Sequence, residues 1–74
     1  MSATEYQVML FKSVGHALLA EKTLKALGIP HKLIPVPRHI SSDCGVCLRF
    51  AIGDRERIEQ ALAGKVSHEK IQPL

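Results

Sequence analysis

Tryptophan is missing from this 74-residue chain, and the aromatic side chains come to one tyrosine and two phenylalanines. Bases would have little to stack on, and the ten Lys and Arg residues are scattered along the chain, so the net charge of +3 makes no nucleic-acid-binding pattern. No apolar run approaches the ~18 residues needed to cross a bilayer, which excludes a membrane-spanning helix from the reading. The first residues, Met1-Ser2-Ala3-Thr4-Glu5, lack the basic and then apolar pattern of a secretory signal, and a cytoplasmic location is expected. Repeats, low-complexity tracts and linkers are also missing. Residues 1–74 therefore read as one domain, whose small core makes a homo-oligomer the default expectation.

Cysteine is scarce, with Cys44 and Cys47 the two present. In a reducing compartment such a pair is reactive, metal-binding or buried rather than a structural disulfide. His39, Cys44 and Cys47, with His31, hold enough ligand types for zinc. A single close cysteine pair is a weak zinc signature, however, and neither a metal nor a cofactor is expected.

What is present has strong periodicity. Tyr6-Gln7-Val8-Met9-Leu10-Phe11 reads as a buried first strand, and Ser13 as the N-cap of a helix. Val14, Ala17, Ala20, Leu24 and Leu27 recur at three- and four-residue steps and form the predicted inner stripe of that helix, which Gly28 ends and Pro30 keeps closed. Lys32-Leu33-Ile34-Pro35-Val36 carries a proline that cannot donate to a ladder, so it is placed at a sheet edge. Val46, Leu48 and Phe50 alternate with Cys47 and Arg49 in a central third strand. Asp54 is predicted to cap a second helix with Ile58, Ala61 and Leu62 inward, an Arg55/Glu59 pair on its surface and Gly64 at its end. A final strand is placed in Lys65 to Ile71.

This order is β-α-β-β-α-β. It predicts an α+β, ferredoxin-like split βαβ fold, a four-stranded antiparallel sheet with two helices on one face. The first two strands then run parallel with the third between them, which puts the start of the first helix and the loop before the third strand at one end. Ser13, Val14, Gly15 and His16 are thereby expected near Cys44.

A thiol becomes a nucleophile as its thiolate, which a helix N-terminus and nearby cations favour. Around Cys44, His16 is a candidate proton donor or acceptor, Arg38 and Arg49 supply positive charge, and Ser41 and Ser42 supply hydroxyls. Gly45 leaves the approach open, while Asp43 opposes a thiolate. Cys47 lies three residues on, and in an extended strand that spacing points to opposite faces. It therefore reads as packing or surface filler more than as a resolving thiol. Structural readings stay open for the others: Cys44 as a small apolar residue, His16 as a first-turn surface residue, Arg38 and Arg49 as solvated charges. His31 and His68 show no evident partner.

Residues 10 to 50 resemble a bacterial family described as selenium/sulfur (Se/S) carrier-like proteins. The likeness rests on Phe11-x-Ser13-x-x-His16-Ala17-Leu18-x-x-Glu21-Lys22, Gly28-Ile29-Pro30, Leu33-Ile34-Pro35-Val36-Pro37-Arg38 and Ser41-Ser42-x-Cys44-Gly45-x-x-Leu48-Arg49-Phe50. It implies a carrier more than a turnover enzyme, with Cys44 holding sulfur or selenium as a persulfide or perselenide. Its implied partners are a cysteine desulfurase-like donor and a protein acceptor, with Ser13, Arg38, Ser41, Ser42, Gly45 and Arg49 around the thiol. Cys47 departs from the family pattern, in which a small apolar residue is usual. Two other classes stand beside this reading: a non-catalytic small-anion-binding or interaction module, and a Cys44/Cys47 thiol redox protein.

Overall fold

Strand β1 (Tyr6–Leu10) is built of residues that favour a pleated, half-buried surface. It is followed by helix α1 (Val14–Ala26), β2 (Lys32–Pro35), β3 (Val46–Ala51), a 3-10 turn (Ile52–Asp54), helix α2 (Arg55–Leu62) and β4 (Lys70–Pro73). The computed structural model describes residues 5–40 and 45–74. All strand pairs are antiparallel and the sheet order is β2-β3-β1-β4, so the chain has the α+β, ferredoxin-like βαββαβ fold that the element order predicts.

The pairing of Met9 with Leu48 and of Gln7 with Phe50 fixes which residues share a face. Met9, Phe11, Leu48 and Phe50 point to the helices and join Ala17, Ala20, Leu24, Ile58 and Leu62 in the main core. Each fully buried aliphatic or aromatic side chain there contributes about 1.5–3 kcal/mol over its exposed state. The alternate residues Val8, Leu10 and Cys47 face the other way, where Ile40 closes over them and Ile34 and Val36 flank them. Ile40 comes from a turn in the connection between β2 and β3, its N–H donating to the Pro37 carbonyl at 3.0 Å. Residues 36–40 of that connection act as a strap across the sheet face that the helices leave bare.

Ser13 caps α1 as predicted, its hydroxyl accepting the His16 N–H. At the other end Gly28, at φ +71°, closes a Schellman motif: its N–H donates to the Lys25 carbonyl and the Ile29 N–H to the Leu24 carbonyl. The predicted inner stripe is too long. Ala17, Ala20 and Leu24 are buried, but Val14 and Leu27 are 48% and 55% exposed. A straight helix brought close by two alanines touches a twisted sheet only along its middle, and Ile29, turned back by the Schellman bond, takes the place expected for Leu27.

Two further expectations are corrected. Asp54 makes no side-chain cap; α2 is entered through the 3-10 turn, and the carboxylate pairs with Arg57 at 3.3 Å. The last strand starts at Lys70 rather than Lys65, because Val66 drops into the core and its N–H donates to the Leu62 carbonyl, closing α2. The Arg55/Glu59 pair forms at 3.0 Å, as its spacing predicts.

The outer strands β2 and β4 each contain a proline, Pro35 and Pro73. The N–H groups of Val36 and Leu74 point inward to the Gly45 and Tyr6 carbonyls. By alternation, the nitrogens of Pro35 and Pro73 face the two open edges.

Candidate functional site

The strand register decides what gathers around the segment that holds Cys44. Leu10, the last residue of β1, pairs with Cys47, and Pro35, the last of β2, pairs with Val46. Gly45, the residue after Cys44, receives the Val36 N–H on its carbonyl at 3.2 Å. The chain leaves β1 at this same end and reaches Ser13 within three residues. Ser13 and His16 therefore share the end of the sheet that Gly45 occupies. A methyl group built on Gly45 meets no atom of the described residues within 4 Å, so none of them crowds the residue next to Cys44. Cys44, Ser41 and Ser42 lie outside the described residues.

Ser13 makes two bonds to His16. Its Oγ accepts the His16 N–H at 3.3 Å and lies 2.7 Å from Nδ1 of the ring. Nδ1 is thereby engaged by the hydroxyl, and Nε2 is the ring nitrogen turned away from it. The first turn of α1 carries no acidic residue. An anion at this end thus meets no carboxylate from the helix, whose free N–H groups and dipole favour negative charge.

His16 has a neighbour that the sequence reading leaves unassigned. With Lys12, Ser67 and His68 it lines a small cavity of about 120 Å³. The Glu69 N–H donates to the Leu10 carbonyl at 2.7 Å and holds the 67–68 segment against the end of β1. The signal for this meeting is the topology: β4 runs antiparallel to β1, so residues just before β4 must lie beside those just after β1. Starting the last strand at Lys65 hides it, since His68 is then inside a strand.

The remaining candidates are dispersed. Arg38 is exposed on the strap. Arg49 is four residues beyond Gly45 on β3, about 13 Å along an extended strand, and its guanidinium lies over the Tyr6 ring at 4.6 Å from the centroid. Arg49 therefore belongs to the opposite half of the sheet. Cys47 is completely buried between Val8, Leu10 and Ile40 on the strap side. His31 has a structural bond, Nδ1 donating to the Ile29 carbonyl at 2.7 Å. Among the described residues no group of three or more His, Cys, Asp or Glu converges as a metal site, and no helix is long and apolar enough to cross a membrane.

No curated protein and no solved structure matches the chain. The family described as "Putative Se/S carrier protein-like" does, over residues 5–73, which takes in every strand and both helices. By that match the chain belongs to the Se/S carrier protein-like family.

Proposed function

We propose that the protein carries a sulfur or selenium atom on Cys44, as a persulfide or perselenide, from a cysteine desulfurase-like donor to a protein acceptor. The observation that carries this reading is the family membership over nearly the whole chain. The register adds support, since Gly45 shares a sheet end with the Ser13-capped start of α1 and with His16. The step is a thiol exchange. The Cys44 thiolate attacks the outer sulfur of a donor persulfide, a new S–S bond forms on Cys44, and the donor's S–S bond breaks with its electron pair leaving on the donor thiolate. No outside oxidant or reductant is needed. A selenium atom is handled in the same way, through an Se–S bond.

At this sheet end His16 serves the proton balance of the adduct, and the first turn of α1 favours its negative charge. Gly45 leaves room for the docked partner. Arg38, exposed on the strap, is assigned to contact with an acidic donor or acceptor. Arg49 is assigned to the outer half of the same partner surface. Ser41 and Ser42 shape the segment around the thiol. Cys47 is given no part in transfer, because a thiol sealed under Ile40 is out of reach of a partner protein.

The test is intact-mass measurement after incubation with a cysteine desulfurase and its substrate. Wild type and Cys47→Ala should each gain the mass of one sulfur, and Cys44→Ala should gain none. Equal gain on Cys44→Ala, or none on wild type, refutes the proposal.

A further inference from the structure

We propose that Lys12, His16, Ser67 and His68 form a binding site for a small inorganic oxyanion of the sulfate or phosphate class. These four residues come from the β1–α1 connection, the first turn of α1 and the segment before β4, and together they line one hollow of about 120 Å³. Their chemistry is almost all donor: an ammonium, a hydroxyl and two imidazoles, with no carboxylate in the lining. Nδ1 of His16 is engaged by the Ser13 Oγ at 2.7 Å, so Nε2 is the ring nitrogen available to a ligand. A metal cation fits poorly here, because the Lys12 ammonium repels it and two imidazoles fall short of a ligand set. An oxyanion fits well, since each oxygen accepts and charge-assisted bonds to it are the stronger kind.

Part of the lining is fixed before any ligand arrives. His16 is held by its two contacts with Ser13, and the 67–68 segment by the Glu69 N–H bond to the Leu10 carbonyl. A preformed site loses less on ordering when it binds. Size sets the class of ligand. The hollow lies well below the roughly 300 Å³ at which pockets for drug-sized ligands begin, so a nucleoside or sugar attached to the anion would remain in solvent.

This site shares His16 with the carrier reading but does not need Cys44, and the experiment keeps the two apart. Inorganic phosphate is titrated at pH 7 and constant ionic strength while the four histidine rings are followed by NMR, with His31 and His39 as internal controls. Saturable shifts are expected at His16 and His68 alone, with sulfate giving the same pattern. Lys12→Ala and His68→Gln should each weaken binding by about tenfold or more, the loss of one charge-assisted hydrogen bond or ion contact. Cys44→Ala should bind as wild type does. Adenosine monophosphate should bind no more tightly than phosphate. Shifts that do not saturate, variants that bind unchanged, or clearly tighter binding of the nucleotide each overturn the site.

Discussion

Replacing Ile40 by alanine tests whether the strap is a structural lid over the second sheet face. Ile40 is 6% exposed and closes a cluster whose other buried members are Val8, Leu10 and Cys47. Large-to-small changes of buried isoleucine cost about 2–5 kcal/mol, the lower end applying where the surroundings can collapse. Ile40 sits on a connection rather than inside the sheet, so about 2 kcal/mol is expected. In a domain of this size that lowers the melting temperature by roughly 8–16 °C.

The same change should unseal Cys47. If the 2 kcal/mol reflects docking of the strap, the opened fraction rises roughly thirtyfold. The assay is urea denaturation together with the rate of Cys47 modification by an aromatic disulfide reagent, in reduced protein carrying Cys44→Ala so that one thiol reports. A cost under about 0.5 kcal/mol with an unchanged modification rate would show that the strap does not hold the face closed.

Three smaller changes probe the rest of the frame. Ser13→Ala removes the cap of α1 and should cost about 1 kcal/mol in urea denaturation, while the NMR signals of the His16 ring shift as its Nδ1 contact is lost. Gly28→Ala places a side chain at φ +71° and should cost about 1–2 kcal/mol; no cost would mean that the end of α1 can close in another way. A double-mutant cycle of Tyr6→Leu and Arg49→Met should return a coupling of about 0.5–1 kcal/mol for the cation–π contact, and a coupling near zero would remove it.

Much of the frame is legible in the residues because it is set by local chemistry. Ser13 and Gly28 mark α1 through a cap and a left-handed closure, and Pro35 marks an edge by lacking an N–H. The alternation of Cys47 and Arg49 with Val46, Leu48 and Phe50 separates the two faces of β3. What escapes is decided at long range. Val66 has the composition of a strand residue, and only the space beneath α2 makes it a core plug that delays β4 to Lys70. Ile40 looks like one apolar residue in a polar loop until the register shows Val8, Leu10 and Cys47 uncovered by either helix. Of the candidate site, Ser13, His16 and Gly45 could be brought to one end from topology alone, whereas Arg49 turns toward Tyr6 because that ring lies on its own sheet face. Lys12, Ser67 and His68 depend on where β4 begins, and a shift of five residues is enough to hide them.

The prolines at the sheet margins limit how copies of the chain can associate. Joining two sheets edge to edge requires outward N–H groups at alternate positions along a rim, and each rim has one of these positions taken by a proline nitrogen. Each rim is also only four residues long and begins with a lysine, Lys32 on one side and Lys70 on the other. A sheet continued across two protomers would gain very few hydrogen bonds. Any association of copies would thereby be directed away from the ladder and onto the faces, where side-chain fit rather than backbone pairing selects the partner.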